Sequence, residues 1–436
     1  MERAEISKPG SPPTRSSPPA PARPGVAALT PLYVVIFAGF VGYSLMITVF
    51  TPMLLRGDGG MLPADTPMAH RTIVLGILLC LYPLGQFFGS PIMGAFSDRF
   101  GRKPILLISL SITTTCYAAI AYALMIRSFA LLAVTSLIAG LAEANIVTAQ
   151  SAIADVVEPA ERNRFFGYIY MSVSAAYIVG PLVGGKLADP QIVPWFNYAT
   201  PFWAVFVLLV LTALSTAAIY HETRTPGVGT DVSYSEAFTN LIGVFTNRRL
   251  RSLYWINFLI YLAIFGFFRC YPMYLVDQFH LGVSRVSEFI AWVGVPIVLA
   301  NLWLTGFFSA HFTVKTLTLW SAILTGVFMV IVVIPPERGS LWVTLFLTSG
   351  ALALCLPSCA TLLSVAAGED DQGRVMGNNQ ALQVGAEALS GLVGGLLAAI
   401  FVKLSLFVVG AIALIAGALV AGAVRPAETD QRIAPH

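Results

Sequence analysis

Twelve apolar stretches of about twenty residues, separated by short polar breaks, recur between Leu32 and Val424. Each is long enough to cross the ~30 Å hydrocarbon core of a bilayer as an α-helix. Composition agrees, with 57% hydrophobic and 11% charged residues and a mean hydropathy of +0.78, far from the balance of a soluble enzyme. The net charge of +3 says little about partners, because in such a chain the distribution of basic residues between the two faces matters more than their sum. Nothing in the sequence points to nucleic-acid binding. The five cysteines (80, 116, 270, 355 and 359) all fall inside apolar runs and read as small core residues, not as a disulfide framework or metal site. No metal or cofactor is expected.

The expected helices are 31–54, 71–95, 104–125, 129–154, 164–188 and 201–220, then 251–276, 284–309, 316–335, 341–366, 374–401 and 405–424. This divides the chain into a tail (1–30), a six-helix bundle (31–220), a linker (221–250), a second six-helix bundle (251–424) and a short tail (425–436). The first 28 residues hold seven prolines and no apolar core of a signal peptide, so the expectation there is a disordered tail. The tails, the linker and the even-to-odd loops carry 17 basic residues and the opposite loops seven. By the positive-inside rule both termini are expected in the cytoplasm.

The halves repeat. At an offset of 210, the segment from Arg164 to Ala188 lies over that from Arg374 to Ala398 with nine of 25 positions identical, among them the run LVGG at 182–185 and 392–395. A fainter copy sets Gly94, Phe96, Ser97, Phe100 and Lys103 over Gly306, Phe308, Ser309, Phe312 and Lys315. Two further motifs stand out. Gly94-x-x-Ser97-Asp98-Arg99-x-Gly101-Arg102-Lys103-Pro104 follows helix 2, where tight turning needs glycine and a helix C-terminus favours cations. Gly180-Pro181-x-x-Gly184-Gly185 lies in helix 5, where small residues permit close helix packing and proline frees a carbonyl.

The first motif closely resembles the signature loop of the major facilitator superfamily, and the resemblance spans residues 31–424. It implies an all-α membrane fold of twelve transmembrane helices in two related halves, the parallel-repeat architecture with substrate at mid-membrane between them. It also implies a cytoplasmic gate at Gly94, Asp98, Arg99, Gly101, Arg102 and Lys103, with Asp98 as the latch acid, Arg102 in support, and the start of helix 11 near Gly373 and Arg374 as docking point. The second motif, at Gly180, Pro181, Gly184 and Gly185, looks like the antiporter motif of drug-exporting members. Because Gly184 and Gly185 recur at Gly394 and Gly395, a packing seam explains part of it. With Ile153-Ala154-Asp155 closing helix 4, the chain resembles the twelve-helix drug/proton antiporter branch, that of tetracycline efflux. It departs from that branch at Phe40, where an acid is usual in helix 1, and at Ser136, where an arginine is usual in helix 4.

Other polar groups lie at membrane depth, where a charge costs roughly 2.5–3.5 kcal/mol and tends to face a cavity or a partner. Glu143 lies mid-helix 4 on a face with Ser136 and Gln150; Glu387 lies mid-helix 11 on a face with Gln380, Gln383 and Ser390; Arg269 lies in helix 7. Glu143 reads either as a proton carrier or as a neutral acid hydrogen-bonded to a neighbouring helix. Arg269 reads either as a ligand contact or as a snorkelling cation. Glu387 is peculiar to one half, its repeat counterpart being Tyr177. With Tyr177 and Asn301, and with Tyr82 and Gln86 nearby, these are the candidate substrate- and proton-binding residues.

The reading that results is a secondary transporter working by alternating access, exporting a small amphipathic compound in exchange for protons. A rival reading within transport is movement of an anionic metabolite or carboxylate-type siderophore, carried by Arg269. A non-transporting receptor would need an appended signalling domain, and an enzyme would need a nucleophile, phosphate-binding or metal-ligand motif; neither is seen. The expected setting is a bacterial inner membrane, the expected partners are a small substrate, protons and lipid, and the expected working unit is a monomer.

Overall fold

The computed structural model describes residues 26–143, 145–157, 161–222, 250–367 and 372–423. Among these it is helical, with twelve spans long and apolar enough to cross a membrane. In chain order they are α1 (Leu29–Arg56), α2 (Met68–Phe100), α3 (Arg102–Met125), α4 (Phe129–Val156), α5 (Phe165–Leu187), α6 (Thr200–Ile219), α7 (Arg251–Phe279), α8 (Val283–Phe308), α9 (Val314–Ile331), α10 (Ser340–Ala367), α11 (Val375–Ile400) and α12 (Val402–Gly422). The expected tails and linker lie largely outside the described residues. The first helix begins at Val26, inside the stretch expected as tail, and carries Pro31 in its second turn, where the missing backbone N–H removes one bond of the helical ladder.

Local chemistry sets the ends. Ser128 Oγ accepts from Leu131 N at 3.4 Å to cap α4, Thr313 Oγ1 accepts from Thr316 N at 3.3 Å to cap α9, and α6 opens with Pro201. His280, in the left-handed region at φ 51°, ends α7. Two expected spans are not continuous. The fourth breaks at Glu143, the C-cap of a first segment Phe129–Ala142, and resumes at Asn145. The eighth is interrupted at Val293 and passes through a π-turn at Ala300–Leu304.

α1 and α7 are the most enclosed spans, at 78% and 83% buried, and meet at the centre of the bundle. The halves are joined by α2 running against α11 and α5 against α8. On the face opposite the linker, the far face, these pairs are closed. A Cβ on Gly76 of α2 would stand 2.6 Å from the carbonyl oxygen of Gly391 and 2.8 Å from Cα of Gly395 on α11, so two backbones touch there. Gly185 of α5 lies against Ser287 of α8. Lys186 Nζ, beside it, reaches Glu288 at 2.5 Å and Ser284 Oγ at 2.8 Å across the same seam. Toward the linker face the stripe opens: Tyr170, two turns from Tyr177 on one face of α5, is 70% exposed.

One buried cation organises the far-face loop between α1 and α2. Arg71 donates from Nε to Thr66 O at 2.9 Å, from Nη1 to Leu54 O at 3.2 Å and from Nη2 to Ala64 O at 3.0 Å, replacing water around the loop carbonyls. Nearby, Tyr198 donates to Asp58 at 2.7 Å; burial, then the adjoining carboxylate, pushes its phenol up.

Candidate functional site

Between the halves lies a narrow cavity, with about 50 Å³ open to water-sized molecules, lined by residues of α1, α2, α4, α5, α7 and α11. The expected Glu143, Glu387, Gln383 and Tyr177 all line it, as do Gln380, Tyr82, Gln86, Phe40 and Phe265. Long-range folding therefore gathers six segments into one site, with five aromatic rings, three amides and two carboxyl groups. Not every candidate joins them. Gln150 is half-buried and outside the lining, because the break at Glu143 ends the regular helical stripe that would have aligned the two. The side chain of Asn301 lies outside the described residues; its backbone is in the π-turn of α8.

Glu143 is 1% exposed, and neither carboxyl oxygen has a hydrogen-bond partner among the described residues. Its position depends on two backbone facts. At the break its N–H is held by Ala139 O at 2.9 Å and its own carbonyl accepts from Ile146 N at 3.2 Å. Opposite, α1 carries Gly39, where a Cβ would come within 2.6 Å of the carboxyl oxygen; the missing side chain is the room the acid occupies. Gly39→Val is expected to displace Glu143 and lower the transport rate by about tenfold or more, measured as initial uptake in vesicles at matched protein levels.

Glu387 has the opposite environment. It accepts a hydrogen bond from the hydroxyl of Tyr43, and Arg269 Nη2 lies 3.7 Å from it while donating to Tyr43 at 2.9 Å. Arg269 is wholly buried, outside the cavity lining, with Nε and Nη1 unpartnered among the described residues. It neither snorkels nor meets the cavity directly. Tyr43, stacked on Tyr82 with ring centroids 5.0 Å apart, was missed by sequence reasoning, since one tyrosine in an apolar run gives no signal of a partner 344 residues away. On α1, α2 and α11 the next turns toward the far face are buried: Thr48, Leu78 and Ser390 are enclosed. Tyr43, Tyr82 and Glu387 thus form the ceiling of a cavity that opens toward the linker.

At the linker end of α2, Arg102 is nearly buried and pairs with Asp98 at 2.9 Å and Asp155 at 2.8 Å, with Ser97 Oγ at 2.6 Å. Asp98 is 48% exposed in its side chain. The expected docking point at Gly373 and Arg374 has no described side chains. Gly101, at φ 98°, makes the turn that L side chains resist. Glu222, just beyond α6, accepts from the backbone N–H of Arg102 at 3.0 Å and of Lys103 at 2.9 Å. It thereby caps α3 where the helix dipole favours an anion. Lys103 Nζ donates to Ala217 O at 2.9 Å, Arg99 stacks over Phe100, and Gly94 has open space around it. Glu222→Ala is expected to cost about 1 kcal/mol, read as a fall of a few degrees in melting temperature with substrate binding preserved.

In α5, Gly180 packs on Ser44 and Val41 of α1, Gly184 on Leu45 of α1, and Gly185 on α8, with Pro181 buried among them. The motif is a seam binding α5 to α1 and, at its far end, to the other half.

Twelve spans in two halves about a cavity open at one face and sealed at the other define a membrane transporter. The sequence pattern of the Major Facilitator Superfamily matches residues 32–300 and again 253–435, and the chain belongs to that family. Among curated proteins it is similar to the class E tetracycline resistance protein of Escherichia coli, at 28% identity over 79% of this chain and 81% of that one. It is also similar to the quinolone resistance protein NorA of Staphylococcus aureus (strain COL), at 22% over 78% and 81%. Two solved structures share the fold. A bacterial homolog of the human lysosomal transporter Spinster, inward-facing and unoccupied, superposes with a TM-score of 0.72 at 15% identity over 91% of this chain and 96% of that one. A D-xylose–proton symporter gives 0.71 at 14% over 91% and 98%.

Proposed function

We propose that this protein exports small amphipathic compounds in exchange for protons, by alternating access across a bacterial inner membrane, as a monomer with both termini in the cytoplasm. The observation that carries the reading is Glu143, an acid at the cavity wall with no partner for either oxygen among the described residues. An acid so placed takes a proton when sealed from bulk water and releases it when one face hydrates the cavity. The lining supports the substrate class. It offers rings for a flat apolar body, amides for orientation and two acids, with no lysine or arginine among the lining residues. That suits a neutral or cationic aromatic compound, in keeping with relatives named for tetracycline and quinolone resistance.

The state described has its cavity open to the linker face, the side from which an exporter loads. Release requires the far-face contacts of Gly76, Gly185 and Lys186 to part and the linker face to close, with the Asp98–Arg102 loop as the natural latch. The alternative of an anionic metabolite or carboxylate siderophore drew on Arg269, whose enclosure beside Glu387 leaves no observation favouring it. The test is uptake of tetracycline or ethidium into inside-out vesicles carrying an imposed pH gradient. Accumulation that collapses with a protonophore supports the reading; accumulation indifferent to the gradient removes the coupling, and absence of uptake for any aromatic cation removes the substrate class.

A further inference from the structure

Of the groups buried at the centre, Arg269 and Tyr43 have no part in a scheme built on Glu143 alone, yet they occupy the one place where α1, α7 and α11 converge at the cavity ceiling. Tyr43 belongs to the first half; Arg269 and Glu387 belong to the second. The hydroxyl of Tyr43 donates to the Glu387 carboxylate and accepts from Arg269 Nη2 at 2.9 Å, so one oxygen ties the two halves through a carboxylate and a guanidinium. Tyr43 is 7% exposed, Glu387 7% and Arg269 0%.

We propose that the Tyr43–Glu387–Arg269 triad is a cross-half lock on the far face that holds only while Glu387 is ionised, with Tyr43 as the positioning residue that conveys the charge of Glu387 to the first half. This rests on the transporter reading above and deepens it. A hydrogen bond to an ionised acceptor is about twice as strong as one between neutral groups. Neutralising Glu387 therefore weakens the Tyr43 bridge, and it also leaves the Arg269 guanidinium uncompensated in a sealed interior, one of the most costly arrangements a protein can hold. Parting α1 from α7 and α2 from α11 brings water to that cation, so the far face opens.

Glu387 also lines the cavity, so either a proton arriving there or the cationic group of a bound substrate can neutralise it. The empty, ionised carrier keeps its lock. Opening of the far face is then conditional on a proton or a substrate cation at Glu387. The titratable and charged groups facing this carboxylate are Tyr43 on α1, Tyr82 and Cys80 on α2, Glu143 on α4, Tyr177 on α5 and Arg269 on α7. Of these Glu143 is the second carboxyl group, so it needs its own control.

The experiment places spin labels at Asp65→Cys and Glu337→Cys, exposed far-face loop positions in opposite halves, in the full chain with Cys80→Ser. The remaining native cysteines are buried. Inter-label distances are measured in lipid nanodiscs at pH 8 and pH 5 without substrate. The expected result is a long-distance population whose ratio to the short one rises about tenfold on acidification, as loss of a charge-assisted hydrogen bond implies. Glu387→Gln shows the long population at both pH values, Tyr43→Phe does the same while keeping the ring stacked on Tyr82, and Glu143→Gln retains the native pH response. If Tyr43→Phe retains that response, or the parent distances ignore pH, the lock is overturned. Vesicle transport of the same parent chain separates the two claims. Gradient-driven uptake with no distance change rejects the lock alone, whereas a distance switch in a chain that transports no aromatic cation upholds the lock and rejects the substrate class.

Discussion

Glu143→Gln is expected to abolish pH-gradient-driven accumulation while leaving the protein folded and able to bind substrate. Glutamine has the shape of the protonated acid, so the pocket beside Gly39, with 2.6 Å between the carboxyl oxygen and a notional Cβ, accommodates it without repacking. The amide cannot release a proton, so the cycle loses the step that draws on the gradient. The measurement is a pair of assays on one preparation: equilibrium binding of tetracycline by tryptophan quenching, and uptake in inside-out vesicles with and without a gradient. Retained binding with uptake at background is the expected pattern. Full gradient-driven uptake would move the proton to Glu387 and reduce Glu143 to a space-filling acid.

Gly76→Leu should be nearly as severe, by a different route. The α2–α11 contact is backbone on backbone, with Gly391 O and Gly395 Cα where a side chain would have to go, and neither atom can swing aside as a rotamer would. A leucine there wedges the far face apart, so transport falls to background through loss of the linker-open state, with the proton site untouched. Cys80, one turn along α2 and 5% exposed, supplies the readout. It is expected to resist a membrane-impermeant maleimide in the parent and to react readily in Gly76→Leu when the reagent is added from the far side. A variant that stays unreactive and transports normally would mean that the seam relaxes around the leucine.

Much of this was legible before the fold. The twelve spans follow from lengths of apolar sequence, and the halves from the repeat of Leu182–Gly185 at Leu392–Gly395. Glu143, Glu387, Gln383 and Tyr177 reached one cavity because a polar group in an apolar run is costly unless the fold gives it somewhere to face. What escaped depended on pairs distant in the chain. Tyr43 becomes informative only beside Glu387, Gly39 only beside Glu143, Gly76 only beside Gly391, and Glu222 only beside the N-terminus of α3. The break in α4 was equally hidden: positions 142–146 hold neither proline nor glycine, and the feature that meets it is the space left by Gly39 opposite on α1. Gln150 was misplaced for that reason, since its alignment assumed an unbroken helical period. Arg269 sat at the expected depth, but whether a membrane arginine meets substrate or a neighbouring acid is decided by the helix across from it.

The irregular ladder of α8 bears on how its two ends can move. Its first segment carries Ser287 and Glu288 against α5; then come the interruption at Val293 and the π-turn at Ala300–Leu304, before the final segment runs to the linker face. The backbone stays in the helical region at Val293, Ala300 and Thr305, so α8 keeps its course while its hydrogen-bond ladder is irregular at two places. A ladder so loosened bends at less cost than a regular helix, and the two ends of α8 are expected to shift by different amounts when the far-face seam parts.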